Sequence, residues 1–417
     1  LFILVGGVFG GFQALKPVLE DENVFSNFCK QGEDLPCDAQ ILQINFIFQF
    51  TAGAVNFLAV PLGFLNDHVP KRIFALGTNV FTAISFILIG FSLQYRSFDD
   101  HFYWVPTFGF LMLSLAGAGF WFCLMGYMAD LPDHAGHINA LLTCAWDLSS
   151  LVLFFFNIAY YQLHLSLLQM FCGYIAIVSL PLFSFSWFIN TPKPSISHTP
   201  QEPSTEGSVN AQASDNTSNN KSETEPAPSL RHFLLDKKMI TCMLWVASFQ
   251  LCCYFYMSTV LDQARWITGS ESRADTMNFV FSILLPAIGF GSNLIFGKLV
   301  SNLRLSFMVL LVMNCIWVAT SVIKIWWLQF VTYAVFVPWR IFDFIVLYAY
   351  INQFFPASYF GRLASICLSC GGLAQMAVSG LNHLVEYQMD GDFFWMNLAV
   401  GILACGLTVL MMLFGAR

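Results

Sequence analysis

Charge is what this chain has least of. Its 417 residues are 57% hydrophobic and only 10% charged, against about 25% charged in an average soluble domain. So few charges cannot coat a soluble protein of this size, and the richness in Leu, Phe and Val excludes wholesale disorder. A surface that faces lipid remains. Positive charge is also lacking: 18 Lys and Arg stand against 25 Asp and Glu, for a net charge of −7. No nucleic-acid partner is expected from that balance. There is no phosphate-cradling glycine loop and no nucleophile elbow, so ATP-driven pumping and enzymatic catalysis have no site, and no cofactor is expected. The chain has no starting methionine, and Leu1 already lies in an apolar run. Preceding residues are therefore expected to complete the first helix. The run has no basic start and is broken by glycine pairs, so it does not read as a cleavable signal peptide.

What the sequence does have is apolar runs of membrane-spanning length. They fall near 1–19, 41–65, 73–94, 104–129, 138–160 and 165–189, then near 239–260, 276–299, 305–327, 328–354, 363–385 and 393–415. The predicted fold class is an all-α membrane protein of twelve transmembrane helices in two six-helix bundles, residues 1–189 and 236–417. Residues 190–235 between them are rich in Pro, Ser, Thr, Asn and Glu, and are expected to form a disordered linker. Equal helix numbers around a linker suggest two related bundles, although no strong sequence repeat joins them. With both termini and the linker in the cytoplasm, eleven basic residues fall inside and six outside: Lys16, Lys30, Arg96, Arg265, Arg273 and Lys324. That is the positive-inside arrangement. Only Arg340 is left within a span. The glycosylation-like triplets at Asn216 and Asn220 then face the cytosol and stay unmodified.

After the second run the chain reads G-F-L-N-D-H-V-P-K-R, Gly63 to Arg72. With the six-plus-six arrangement, this resembles the major facilitator superfamily, whose loop signature is G-x-x-x-D-[RK]-x-G-[RK]-[RK]. Gly63, Asp67, Lys71 and Arg72 match; His68 and Pro70 depart. The implied device is a gating clasp, a carboxylate near a helix end tied to basic groups and to the positive N-terminus of a neighbouring helix. An ordinary basic loop is the alternative. The counterpart in the second half, Asn293 to Lys298, has Gly297 where the acid would be, and any clasp there is weaker.

Further segments narrow the resemblance: Phe28 to Gln40, Asn56 to Asp67, C-A-W-D-L-S-S from Cys144 to Ser150, and F-P-A-S-Y-F-G-R-L from Phe355 to Leu363. Together they resemble solute carrier family 43. That resemblance implies sodium-independent carriage of large neutral amino acids or equilibrative carriage of a nucleobase; related sequences in unicellular parasites carry amino acids, some of them cationic. Cys29 and Cys37 lie in the first outside loop, an oxidising place. A disulfide is expected there, and the resembled family also has a cysteine pair in this loop. Cys367 and Cys370 lie a turn apart on an apolar helix with no other ligand near, so neither zinc nor redox work is expected. Asp130 to His137 has metal-ligand residue types but reads as a solvated loop.

Charges inside lipid are costly and mark function or a partner. Asp147, in the fifth helix, is followed by Ser149 and Ser150; it faces the transport path or holds helices together. Arg340, in the tenth helix, can bind a substrate carboxylate, pair with Asp147 across the halves, or be neutralised by Asp343 three residues on. Gly6, Gly7, Gly10 and Gly11 permit close helix contact, or form an unwound stretch whose backbone meets a substrate's charged ends. Gln250, Tyr254 and Tyr256 offer hydrogen bonds and ring surface. Gly117 and Gly119 leave space beside Trp121.

The expected function is alternating-access transport by a monomer of the plasma membrane, a facilitative uniport of large neutral amino acids. A purine carrier, a cationic or proton-coupled amino acid carrier, and a non-transporting receptor or scaffold are the alternatives. The expected partners are a small-molecule substrate and the bilayer.

Overall fold

The computed structural model describes residues 4–94, 104–125, 135–187, 230–296, 299–356 and 359–415. The backbone there is helical and contains no strand, as lipid demands, because a helix satisfies its own amides. The first span is a 3-10 turn, Val8–Gly11, running into α1 (Phe12–Asp21). Next come α2 (Asp38–Phe57), α3 (Ala59–His68), α4 (Lys71–Gln94) and α5 (Trp104–Met125). The fifth and sixth spans are each interrupted: α6 (Ala135–Ser149) continues as α7 (Leu151–Leu163), and α8 (Leu167–Tyr174) passes through a π turn into α9 (Leu180–Trp187). A short α10 (Leu230–Leu234) precedes α11 (Lys237–Thr268), α12 (Glu271–Phe296), α13 (Leu303–Ser321) and α14 (Leu328–Phe354). The chain then forms α15 (Phe360–Met376), α16 (Val378–Gln388) and α17 (Phe394–Leu410).

Ten helices among the described residues are long and apolar enough to cross a membrane. The pair α2 and α3, bent by 48° at Leu58, makes an eleventh. The first span, with ten residues in its α-helical part, falls short of the roughly 20 that a full crossing needs. Large apolar side chains stay exposed around the outside, as at Ile177, 76% exposed. In water such a surface would aggregate; against acyl chains it is at home.

Two expectations are corrected. The linker does not run to residue 235, because Leu230–Leu234 are helical and Phe233 packs on Tyr359 with ring centroids 5.0 Å apart. Residues 190–229, with Asn216 and Asn220, lie outside the described residues, as do Asp130 to His134 and Gly297. Nor is Arg340 the only basic residue within a span. Lys16 lies in α1 and is fully buried, and Arg265 lies in the last turn of α11. Counting loop charges had placed both outside, because each stands near the end of an apolar run.

Small residues bring the halves together. A Cβ on Gly372 of α15 would lie 2.6 Å from the Gly53 carbonyl of α2, so only glycine allows that approach. Ser369 of α15 donates to the Phe57 carbonyl at 3.0 Å, where the bend at Leu58 interrupts the helix. Cys29 and Cys37 form the expected disulfide, with Cα atoms 5.9 Å apart. It marks one end of the bundle; the turn between α3 and α4 marks the other.

Candidate functional site

Among the described residues, two contacts between side chains join the halves midway along the helices. In the first, the Arg340 guanidinium donates through Nη2 to Asp147 Oδ1 at 2.8 Å. Both side chains are largely withdrawn from solvent, 12% and 6% exposed. Of the three roles open to Arg340 in the sequence, this is the pairing across the halves. The local neutralisation by Asp343 is not formed, and Asp343 Oδ2 is buried without a hydrogen-bond partner among the described residues. Arg before Asp at that spacing is the weaker order on a helix, and a long helical side chain leans toward its own N-terminus, away from a residue three places on. Pro338 removes a backbone donor two residues before Arg340.

The D-x-S-S pattern explains how Asp147 is held. Ser149 donates to the Trp146 carbonyl and Ser150 to the Asp147 carbonyl at 2.6 Å, which closes off α6. Opposite stands Gly289 of α12, where a Cβ would meet Asp147 Oδ2 at 3.1 Å. No sequence motif singles out this glycine.

The glycines of the first span serve this break. The Gly7 amide donates to Ser149 Oγ, the Gly10 amide bonds the Gly7 carbonyl at 2.8 Å, and a Cβ on Gly11 would run into the Ser150 backbone. The stretch is non-α; the Gly7 and Gly10 amides are taken, and Gly11 lies tight against the Ser150 backbone. Gly117 likewise admits the Gly6 carbonyl and Gly119 admits Thr78, so neither opens space for a pocket. Trp121 packs edge-on against Trp146, with centroids 5.5 Å apart.

The second mid-depth contact is uncharged. Asn56 of α2 donates to Gln375 Oε1 at 3.1 Å, and Gln375 donates to Gln250 Oε1 of α11. The Tyr254 ring, on the same helix, stacks on Phe48 at 6.0 Å. Tyr256 instead belongs to the aromatic core, 4.7 Å from Phe336. Gln250 and Tyr254 are thus brought together; Asn56 and Gln375 escaped the sequence reading because single amides in apolar runs look like ordinary core residues.

The disulfide end carries a buried charge network. Lys16 Nζ lies 2.7 Å from both oxygens of Asp262, and Asn45 donates to Asp262 Oδ2 at 2.9 Å. Arg265 reaches Glu20 at 2.6 Å, Asp262 at 3.3 Å and Glu271 at 2.8 Å. Below it, Gln49 donates to Ser258 at 3.1 Å, and Asn278 to the Gln13 carbonyl at 2.9 Å. A crevice of about 1200 Å³ opens beside this network, lined by Asp21, Tyr161, Arg265 and Asp275 among others.

At the opposite end, Gly63 lies in α3 with Phe122 beside it, and Lys71 and Arg72 open α4. The Asp67 backbone is helical; its side chain lies outside the described atoms. His68, a departure from the signature, stacks on Phe64 at 4.0 Å. No group of ligand-type side chains suited to a metal occurs among the described residues.

A stretch of 157 residues is 30% identical to Protein FMP42 of Saccharomyces cerevisiae, covering 37% of this chain and 30% of that protein. The match therefore spans less than a third of that relative. Among solved structures, a D-xylose-proton symporter matches with a TM-score of 0.65 over 100% of this chain and 97% of that one, at 14% identity. Likeness at that identity is one of fold. The model described as Major Facilitator Superfamily matches residues 1–379, and the chain belongs to that superfamily.

Proposed function

We propose that this membrane transporter carries large neutral amino acids as a sodium-independent uniporter, with both termini cytoplasmic in the plasma membrane. The observation that carries the reading is the Arg340–Asp147 pair, one partner from each half, at mid-depth. A zwitterion brings one carboxylate and one ammonium. Its carboxylate replaces Asp147 on Arg340, and its ammonium replaces Arg340 on Asp147, so no net charge is added to a buried site. Removing one member of a buried pair is costly, whereas exchanging both partners together keeps each charge compensated. Arg340 Nε, buried without a partner among the described residues, is a second donor for a carboxylate. An uncharged purine would leave the pair intact. Phe48, stacked with Tyr254 and with Phe9, supplies apolar surface for a large side chain.

In this reading the Lys16–Asp262–Arg265–Glu20 network closes the outer end, and separation of the halves exchanges it for water. The clasp of Gly63, Asp67, Lys71 and Arg72 does the corresponding work at the inner end. The symporter neighbour is a proton-coupled sugar carrier by its name, which makes xylose and a pH gradient necessary controls. The test is vesicle uptake of radiolabelled leucine, phenylalanine, arginine, adenine and xylose, with and without sodium or a pH gradient. Leucine and phenylalanine are expected to equilibrate under all conditions. Uptake of adenine or xylose alone overturns the amino-acid reading, and accumulation driven by a gradient overturns uniport.

A further inference from the structure

We propose that Asn56 and Gln375 are positioning residues of the transport site: their amide bridge between the halves presents Gln250 so that its Nε2–H takes an acceptor oxygen of the solute. The inference rests on the mid-depth layer being the transport site, whichever solute it carries.

The bridge has a direction. Asn56 Nδ2 donates to Gln375 Oε1, Gln375 Nε2 donates on to Gln250 Oε1, and the one donor left over, Gln250 Nε2, has no partner among the described residues. Gln250 is fully buried. A buried donor without an acceptor is costly, and a solute oxygen relieves that cost. Arg340 Nε, on the neighbouring helix α14, is likewise a buried donor without a partner among the described residues. The Gln250 and Arg340 donors call for a ligand that brings oxygens, such as a carboxylate.

Three glycines make the arrangement possible. A Cβ on Gly371 would lie 2.6 Å from Gln250 Cγ, so its absence lets that side chain lie flat on α15. Gly53 and Gly372 bring α2 and α15 close enough for a short side chain such as Asn56 to reach across. The bridge spans the halves and must open as they move apart. Carrying no charge, its hydrogen bonds can be exchanged for those of a solute at small cost.

The test measures uptake of leucine, adenine and xylose into proteoliposomes by the full chain, by Gln375→Leu, by Gln250→Met and by the double variant. Whichever solute the wild type takes up is used for KM and kcat; if that solute is not leucine, the amino-acid reading fails while the bridge is still tested. Each single variant is expected to raise KM about tenfold with kcat within about twofold, the signature of a lost hydrogen bond to the bound solute. The double variant should be no worse than either single one, because Gln375 acts through Gln250. A KM within twofold of wild type in both single variants overturns the inference, as does multiplication of the two KM effects in the double variant. If Gln375→Leu does not reach the membrane, Asn56→Leu breaks the same bridge from the other half.

Discussion

Replacing Lys16 by Met isolates the strength of the network at the disulfide end. Lys16 is fully buried and lies 2.7 Å from both Asp262 oxygens and 3.9 Å from Glu20. Methionine preserves much of the side-chain volume and removes only the charge. Asp262 then keeps Asn45 and one contact with Arg265 at 3.3 Å, while Arg265 is already shared with Glu20 and Glu271. Leaving a buried charge wholly unpaired costs about 3–5 kcal/mol, and the remaining Arg265 and Asn45 contacts make that the upper limit here. That cost falls on the state in which the end is closed, because water reaches the carboxylates once the halves separate. At about 1.4 kcal/mol per decade the closed-to-open ratio falls by up to roughly 100-fold to a few thousand-fold. The assay is labelling by a membrane-impermeant thiol reagent of a cysteine at position 258, where Ser258 is now buried beneath the network and bonded to Gln49. Labelling should rise steeply with Lys16→Met and fall back when Asp262→Leu is added, because removing both members of a buried pair leaves no orphan charge. Unchanged labelling in the single variant, or a double variant as open as the single one, would refute the reasoning.

Arg340→Lys keeps the charge but loses the forked donors, and uptake should fall about tenfold or more; full activity removes Arg340 from the site. Gly289→Leu should displace the Asp147 carboxylate, which already lies 3.1 Å from where a Cβ would sit, and lower uptake with unchanged membrane insertion; normal uptake would show that Asp147 does not need that space. Gly372→Val should be more damaging than Gly406→Val, because only the first meets backbone; detergent-solubilised melting temperatures compare them. Reducing the Cys29–Cys37 bond reopens a short loop, which should lower stability by about 2–3 kcal/mol on loop entropy; a melt with and without reductant measures it, and an unchanged midpoint speaks against an ordering role for the loop.

Much of the architecture was legible because lipid imposes a simple rule. A run of about 20 apolar residues has no alternative to a helix, so the spans could be read directly, and so could the turn between α3 and α4. The cysteine pair was legible too, since two thiols close in sequence outside the membrane have few other partners. The role of Arg340 was not. Its sequence neighbour Asp343 looked like the natural partner, yet the ion pair goes to Asp147, 193 residues away in the chain. The glycines of the first span read as close packing or as unwound backbone, and their contacts with Ser149 and Ser150 could not be seen in the sequence.

By itself, then, the sequence determined that this protein lives in a membrane and how its helices are spaced, because burial in lipid acts on each residue locally and leaves its mark in composition. Only the tertiary structure decided which of its polar groups meet. Lys16 with Asp262, Arg340 with Asp147, and Asn56 with Gln375 join residues 246, 193 and 319 positions apart. Their pairing depends on how two helices cross and on the glycines that let them approach, and neither is written into any short stretch of the chain.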